Sequence, residues 1–559
     1  MNNRPTASLR IASHRPQIRG RFTACLLAIL GGCLFTGDLL AAEKVGIRVP
    51  PGFEVSLYAD DDLAHDIYSM TVDSLGRVVV SGAGYVRILI DKDGDGTADS
   101  FKQFVDGPQG GAQGMAFHGR DLICTGGEGL IRYRDSDGDD RADGPPDVFL
   151  KIKAGGEHHA HAIQRGPDGW WYLIAGNMAE VTGKYATLPT SPIRKPTFGT
   201  LLRFKPDLAG GEIVADGFRN AYDFAFHAAG DLFVFDSDGE RDVSLPWYRP
   251  TRVFHTLTGS NAGWVSRSWK RPNYFSDMPP VVAEFGRGSP TGVACYRHRQ
   301  FPTKFQGAMF VLDWTFGRVM ALPLQKAGSS WSGEPIEFMS GIGQFGFAPT
   351  DVAVSPDGSL LVCVGGRGTR GSVYRVRYTG KDNSGKSNTT TTAGENQSAG
   401  SRLSTCLDAP QPLSSWSRAK WLPLARQLGR KRFIDAAKNK KLSIGARLRA
   451  VEILTELYGG VDTITLLNLA TTEAAEVRAR AVWSAGRSGL IAKQPKLLLP
   501  FLNDADPLVV RCALETLIGN QKSESLLPLF SSLARQLGAN DRFVRQAAAR
   551  LVSQLPDTA

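Results

Sequence analysis

Three of the nine histidines in this chain lie within four positions of one another, in the stretch Gly155–Asn177. Glu157 directly precedes His158 and His159, and His161 follows after one alanine. Such a group permits three interpretations. His159 and His161 bind a transition metal together, the histidines are polar lining of a channel, or His158 is a general base that Glu157 orients. The residues themselves leave these three open.

A general base needs a partner that stabilises developing negative charge, and the sequence offers one about sixty positions later. Arg219 and Asn220 precede a strongly apolar run, as the histidines do. If the two runs are equivalent strands, both polar groups lie at the same opening. An imidazole that takes a proton beside a guanidinium is reasonable chemistry.

Two acidic loops are candidate sites for a structural metal ion, apart from the histidines. The segments DKDGDGTAD and DSDGDDRAD begin 44 residues apart. Alternating carboxylates with glycine in the bend converge oxygen atoms on a hard cation, so we expect Ca²⁺ at both loops, although Lys102 and Pro146 stand where an EF-hand has its bidentate Glu. The expected ligands are Asp91, Asp93, Asp95 and Asp99 in the first loop, and Asp135, Asp137, Asp139 and Asp143 in the second.

The elements that must position these groups recur along the chain. A unit of one apolar strand, a tight turn with glycine and a second apolar strand occurs six times, and its turn glycines are Gly76, Gly119, Gly169, Gly230, Gly307 and Gly358. One four-stranded sheet per unit predicts an all-β, six-bladed β-propeller over residues 43–380. The early strand Phe53–Tyr58 is expected to complete the last blade and close the ring.

The remainder of the chain is organised differently. Residues 381–402 are poor in apolar side chains and predict a flexible linker. Residues 403–559 show helical periodicity, with Arg447, Arg478, Arg511 and Arg545 at spacings of 31, 33 and 34. A plain helical bundle is one interpretation, and the all-α stacking that resembles HEAT repeats is the one we favour.

The amino terminus has the pattern of an export signal. Basic residues precede the short apolar run Phe22–Leu30, and Ala41-Ala42 follows, so residues 1–42 are expected to be a signal peptide. Cys33 lies in a sequence that also resembles a lipobox, which leaves a lipid anchor as the alternative. The net charge of +10 is concentrated in this leader and in the tail, so the central region does not have the charge of a nucleic-acid-binding protein.

The stretches GEHHAHAIQRGPDGWWYLIAGN and DGFRNAYDFAFHAAGDLFVFDSD resemble the glucose/sorbosone dehydrogenases, which are soluble six-bladed quinoproteins. The resemblance extends over about residues 50–378 and implies that His158 abstracts a hydroxyl proton as hydride passes to pyrroloquinoline quinone (PQQ). It also implies that Arg219 and Asn220 lie beside the quinone. The propeller joined to helical repeats is similar to exported "membrane-bound dehydrogenase-like" proteins, but the sequence has no CxxCH haem motif.

The chain departs from this family where the cofactor's carboxylates are bound. Thr315, Ala348 and Thr350 stand where the resemblance implies one Lys and two Arg. We assign cofactor contacts instead to His161 and to three nearby arginines, Arg287, Arg318 and Arg367. Asp236 and Asp238, with Glu240 nearby, are candidate ligands for a further Ca²⁺, and a solvated acidic turn is the alternative.

Three functions follow as expectations. The first is an exported, PQQ-type oxidoreductase that oxidises a sugar or polyol-like alcohol and passes electrons to a separate acceptor, with the helical tail available to a protein partner. The second is a calcium-dependent hydrolase or lactonase with Asn220, Asp236 and Glu157 as ligands. The third is a non-catalytic binding protein, because fold does not fix function.

Overall fold

The computed structural model describes residues 45–344, 346–380, 398–519 and 526–555, so the expected signal peptide, Cys33 and most of the expected linker lie outside the described residues. The strands in chain order are β1 Ile47–Arg48, β2 Phe53–Ala59, β3 Ser69–Val72, β4 Val78–Gly82, β5 Tyr85–Ile90, β6 Ser100–Val105, β7 Gly114–His118, β8 Asp121–Gly126, β9 Gly129–Tyr133, β10 Asp147–Lys151, β11 Ala160–Arg165, β12 Trp171–Ala175, β13 Gly199–Phe204, β14 Gly211–Phe218, β15 Asp223–Phe226, β16 Leu232–Asp236, β17 Arg252–His255, β18 Val281–Glu284, β19 Pro290–Cys295, β20 Met309–Asp313, β21 Arg318–Leu322, β22 Gln325–Ala327, β23 Ser330–Ser332, β24 Ile336–Gly341, β25 Pro349–Val354, β26 Leu360–Val364 and β27 Ser372–Tyr378.

Six antiparallel sheets form the predicted six-bladed propeller. Blades 1 to 4 are β3–β6, β7–β10, β11–β14 and β15–β18; blade 5 is β19, β20, β21 and β24 with β1 added, and blade 6 is β25, β26, β27 and β2. The first strand of each blade contacts the first strands of its neighbours, and β25 contacts β3, which closes the ring. These first strands are therefore the inner strands around the central channel.

The early strand β2 closes the ring as expected. It pairs antiparallel with β27, with Phe53 opposite Tyr378. The Phe53 ring packs against Phe301, Phe305 and Phe338 of blade 5 at centroid distances of 4.8, 5.5 and 5.0 Å. Closure thus rests on an aromatic cluster as well as on the ladder of hydrogen bonds.

All six turn glycines adopt positive φ, between +67° and +92°, which side-chain-bearing residues rarely adopt. Each of these turns joins an inner strand to its neighbour at the same end of the channel, which we call the closed end. The opposite end, where the inner strands begin, we call the mouth.

The tail is helical, with eleven α-helices among the described residues: α1 Ala399–Leu407, α2 Ser415–Leu428, α3 Arg430–Lys438, α4 Ile444–Tyr458, α5 Thr463–Ala470, α6 Ala475–Arg487, α7 Leu490–Lys493, α8 Leu499–Leu502, α9 Pro507–Leu517, α10 Phe530–Gln536 and α11 Arg542–Val552. The four repeat arginines lie in α4, α6, α9 and α11, which contact one another in that order. The HEAT assignment stays a prediction. Among the described residues, no helix has the length and apolar character needed to cross a membrane.

The helical tail covers the closed end of the propeller. Gln411 donates a side-chain hydrogen bond to the carbonyl of Cys295, and Ser415 donates to that of Phe117. The indole of Trp416 donates to the carbonyl of Val354 at 3.1 Å. Because these carbonyls lie in the last two positions of three inner strands, Gln411–Ser415 (the plug segment), which ends at the first residue of α2, plugs the channel together with Trp416 and leaves the mouth as the open end.

Candidate functional site

His158 lies in the loop just before β11, at the mouth of the channel. Its carbonyl accepts a hydrogen bond from the backbone N–H of Met178, and the carbonyl of His159 accepts one from Gly176. Both donors lie in the loop that follows β12. The position of His158 is therefore fixed by the two loops of blade 3 that reach the mouth.

The imidazole of His158 is oriented by Asn177, whose Oδ1 lies 2.6 Å from Nδ1. An amide oxygen only accepts, so Nδ1 carries the proton and Nε2 of the neutral ring keeps its lone pair. Burial lowers the pKa of His158, the charge of Arg219 lowers it further, and the hydrogen bond to Asn177 offsets part of the effect. At neutral pH the ring is thus a base in its proton-accepting form.

Glu157 is not the group that orients His158. Its carboxylate pairs with Arg367 at 2.7 Å, and the two side chains are 67% and 64% exposed. The reason is burial: the Glu157 side chain extends into solvent, whereas the His158 ring packs inward. Since Arg367 belongs to blade 6, this ion pair joins opposite sides of the mouth.

Arg219 and Asn220 are positioned by Asp236, at the end of β16. Its buried carboxylate accepts the backbone N–H groups of both residues at 2.9 Å. Burial raises the pKa of Asp236 to about 6, although the two N–H donors act in the opposite direction. The Arg219 guanidinium donates to Ser237 at 2.9 Å and lies 3.3 Å from a Glu240 oxygen.

The Arg219 guanidinium contacts Ser237, Glu240 and the ring of Trp264. Asn177 connects His158 to the backbone of Arg219. Its backbone N–H donates to the carbonyl of Arg219 at 2.8 Å, while its side chain holds His158. The Asn220 Oδ1 is buried and has no hydrogen-bond partner among the described residues. Asn177 was missed by the sequence reasoning, although its place after β12, in the loop of the same blade, was a usable signal.

His161 and His159 have structural partners. His161 is fully buried, with Nδ1 3.1 Å from the carbonyl of Ala221 and Nε2 3.3 Å from that of Gly156. Burial lowers its pKa to about 4. His161 therefore links blades 3 and 4 and is not placed for the expected cofactor contact, while Nδ1 of His159 faces the carbonyl of Ala154.

A tyrosine spans the channel below the mouth. The Tyr222 hydroxyl donates to the carbonyl of Tyr68 at 3.0 Å, from blade 4 to the opposite blade 1. The ring of His161 lies 4.5 Å from that of Tyr222. The mouth is therefore a shallow site with a floor.

The three arginines expected to contact a cofactor differ in their availability. Arg318 donates to the buried Asp313 and to the carbonyl of Phe285, both at 3.0 Å. Its guanidinium is therefore neutralised by a carboxylate within blade 5. Arg287 is exposed on the loop before β19. Arg367 is exposed beside the ring of Trp314 as well as paired with Glu157.

Thr315 and Thr350 stand where the resemblance implies cationic side chains, and neither contributes a charge. The Thr315 hydroxyl donates to Ser289 at 2.7 Å, and the buried Thr350 hydroxyl donates to the carbonyl of Ile67 at 2.9 Å. The mouth therefore has fewer cations than the resemblance implies.

The first acidic loop connects β5 to β6 in blade 1, and the second connects β9 to β10 in blade 2. Each loop brings together fewer carboxylates than expected. Ligand atoms within 4.8 Å of one another come from three residues in each described loop: Asp91, Asp93 and Asp99, and Asp135, Asp137 and Asp143. Asp95 and Asp139 are outside these groups. Each accepts the backbone N–H two residues ahead at 2.8 Å, which fixes the turn.

Asp236 and Asp238 have partners other than a cation from solution. Asp236 binds two backbone N–H groups, and Asp238 lies 3.0 Å from Lys270 and 3.3 Å from Arg252. The buried charges of Lys270 and Arg252 take the place expected for Ca²⁺. Of the ligands in the hydrolase interpretation, Asn220 and Asp236 lie together, whereas Glu157 pairs with Arg367.

No curated protein matches the chain. Among solved structures, a putative glucose dehydrogenase from Thermus thermophilus is 20% identical, with 58% of this chain and 99% of that one covered and a TM-score of 0.44. The PQQ-bound aldose sugar dehydrogenase of Streptomyces coelicolor is 19% identical (59% and 100% covered, TM-score 0.44), and the apo form of the soluble aldose sugar dehydrogenase of Escherichia coli is 16% identical (58% and 99%, TM-score 0.41).

One family model matches residues 41–363, which is more than half of the chain and includes the histidines, the Arg219 loop and both acidic loops. The family is described as a domain of unknown function, DUF7133. The protein therefore belongs to the DUF7133 family.

Proposed function

We propose that the protein is a propeller oxidoreductase that oxidises a sugar or polyol-like alcohol at the mouth of the channel. One observation supports this proposal most: Asn177 orients the buried His158 ring with Nε2 as proton acceptor and binds the backbone carbonyl of Arg219, whose charge contributes to the lowered pKa of His158.

The chain's own residues supply proton transfer and charge stabilisation. His158 Nε2 takes the hydroxyl proton of the alcohol, and Arg219 stabilises the negative charge that develops on the oxygen. Collapse of that charge forms the carbonyl product as hydride leaves the carbon. A quinone such as PQQ, when bound, supplies the two-electron oxidant that accepts the hydride.

The cationic donors at the mouth are complementary in charge to the carboxylates of a small quinone such as PQQ. Arg219, Arg287 and Arg367 offer guanidinium groups, which pair well with carboxylates. Asn220 Oδ1 is an acceptor without a partner among the described residues and is available to an N–H or hydroxyl group. Glu157 competes for Arg367, and the positions of Thr315 and Thr350 add no cation. We therefore expect affinity for PQQ to be modest and sensitive to ionic strength.

We also propose a location, an electron acceptor, a surface for a protein partner and bound metal ions for the enzyme. The amino-terminal pattern supports export to the periplasm or the cell exterior, and lipidation at Cys33 is the alternative anchor. Electrons pass to a separate acceptor, and the exposed side of the helical tail is available to a protein partner. Calcium at the Asp91 and Asp135 loops stiffens blades 1 and 2.

The experiment uses the chain from Glu43, titrated with PQQ and Ca²⁺ and assayed for dye reduction with aldoses and polyols. We expect dye reduction that His158→Gln lowers about a hundredfold or more. His159→Gln is the matched control, because this neighbouring ring faces the Ala154 carbonyl. Absence of quinone binding and of dye reduction would refute the proposal, and chelator-sensitive lactone hydrolysis in its place would support the hydrolase.

A further inference from the structure

Five buried or largely buried arginines gather where the helical tail meets the closed end of the channel. Arg165 ends the inner strand β11, and Arg297 follows the inner strand β19. Together with Arg418 of α2, they line one cavity of about 170 Å³, which the plug segment Gln411–Ser415 also lines. This cavity is separated from the mouth by Tyr222 and belongs to a different part of the molecule from the proposed active site.

Two further arginines are linked to these three through shared ring and carboxylate contacts but do not line the cavity, and one of them, Arg480, lines a second cavity between the propeller and the tail. Arg449 of α4 is 3% exposed and lies 4.2 Å above the ring of Trp421, which Arg418 contacts at 5.1 Å. Arg480 of α6 is also 3% exposed and shares the carboxylate of Glu452 with Arg449. We call these five residues, Arg165, Arg297, Arg418, Arg449 and Arg480, the arginine cluster.

Two carboxylates pair with arginines of the cluster, and the cavity is also lined by Asp223 and Asp351, whose carboxyl pKa values are raised by burial. Glu456 accepts hydrogen bonds from Arg418 and lies 3.7 Å from Nε of Arg165. Glu452 accepts from Arg449 at 3.1 Å and from Arg480 at 2.6 Å. Arg297, which lines the cavity, forms no ion pair with a carboxylate of the described residues.

Several N–H groups of the cluster are unsatisfied as well. The buried nitrogens that have no hydrogen-bond partner within the described parts of the chain are Arg165 Nε, Arg297 Nη1, Arg449 Nε and Nη2, and Arg480 Nε. A buried donor without an acceptor costs free energy, and a buried cation without a counterion costs more. Burial lowers the pKa of Arg165 to about 10, which reflects the same cost.

We propose that a small inorganic oxyanion, phosphate or sulfate, binds at the arginine cluster and holds the helical tail on the propeller. Oxyanions accept several guanidinium hydrogen bonds at once, and a cavity of about 170 Å³ suits an ion of this size. The site joins inner strands of the propeller to helices of the tail, so the bound anion stabilises the assembled chain.

The test begins with full-length mature protein freed of phosphate and sulfate by exchange into chloride. Thermal unfolding is followed as either oxyanion is added at constant ionic strength. We expect the melting temperature to rise with the logarithm of oxyanion concentration, since ligand binds only the folded state. Ion chromatography of protein purified without that exchange is expected to release about one oxyanion per chain on denaturation.

Arg297→Met is the informative variant, because no carboxylate loses a partner when Arg297 is removed. We expect its affinity for the oxyanion to fall about tenfold or more, while its melting temperature in chloride stays equal to or above that of the wild type. Arg299→Met is the matched control: Arg299 lies two positions away, is 66% exposed and pairs with Asp408, so the response to oxyanion is retained. Neither oxyanion shifting the melting temperature beyond chloride, or an unchanged response in Arg297→Met, would overturn the proposal.

Discussion

Asn177 is the residue whose replacement tests the orientation of the proposed base. Its amide oxygen lies 2.6 Å from Nδ1 of His158, in a site where burial lowers the pKa of the imidazole. Asn177→Asp keeps the size and the acceptor and adds one negative charge. The protonated imidazole then gains a partner at hydrogen-bond distance, so the pKa of His158 rises.

The size of the change follows from the geometry. An opposite charge in contact raises the pKa of a cationic acid by about 1–3 units, and two units correspond to about 2.7 kcal/mol. The wild-type ring stays neutral until the pH falls through its lowered pKa. In Asn177→Asp the ring is protonated at higher pH, so activity that needs the neutral base is lost earlier on acidification.

The assay is an NMR titration of the imidazole resonances of the chain from Glu43, with His158→Gln to assign the signal among its eight histidines. This readout needs neither substrate nor cofactor. Asn177→Ala is the control of opposite sign, because loss of the hydrogen bond lowers the pKa of His158. A midpoint that is unmoved in Asn177→Asp, or that moves the same way in both variants, would refute the proposed contact.

Three other predictions concern the ion sites, the proposed stabiliser and the tail. Removal of calcium by a chelator, starting from a calcium concentration of a hundred Kd, is expected to lower stability by about 2.7 kcal/mol per occupied loop. Asp91→Asn removes the contribution of the first loop to this response in a thermal melt and leaves that of the Asp135 loop, whereas Asp95→Asn retains both, and equal responses in the two variants would contradict the three-residue site. Arg219→Gln is expected to lower kcat about a hundredfold or more in dye reduction, and an effect on KM alone would contradict its role. Arg511→Met removes the guanidinium 3.0 Å from the buried Asp231, which keeps His255 and Trp331 as partners, and is expected to cost about 3 kcal/mol in urea unfolding, so an unchanged midpoint would contradict the interface.

The propeller could be predicted from local signals. Each blade has a glycine that must take positive φ, such as Gly76 and Gly230, and these glycines mark the turns in the sequence itself. Closure by the strand at Phe53 followed because the last unit lacked a fourth strand. The general position of His158 and Arg219 at one opening followed from the equivalence of the strands that they precede.

The partners of the site residues could not be predicted in the same way. Glu157 and His158 are neighbours in sequence, but one extends into solvent and the other packs inward, and spacing does not reveal burial. The alternation of side chains along β11 could be read from the sequence for His161. The two backbone carbonyls that its nitrogens face could not. Asp95 was counted with the other acidic residues because composition does not distinguish a ligand from a turn acceptor.

The position of the tail was also beyond the sequence. Helical periodicity indicated the repeats, but their docking depends on contacts such as Trp416 with the Val354 carbonyl and Arg511 with Asp231, far apart in the chain. The arginine cluster is a consequence of that docking.

The central claim is that His158 accepts the proton when the alcohol is oxidised. Its most direct test is a single turnover, in which bleaching of protein-bound quinone is timed after mixing with sugar. If His158 is the proton acceptor, bleaching is about a hundredfold or more slower in His158→Gln than in the wild type and unchanged in His159→Gln. Equal rates in the wild type and His158→Gln would contradict it.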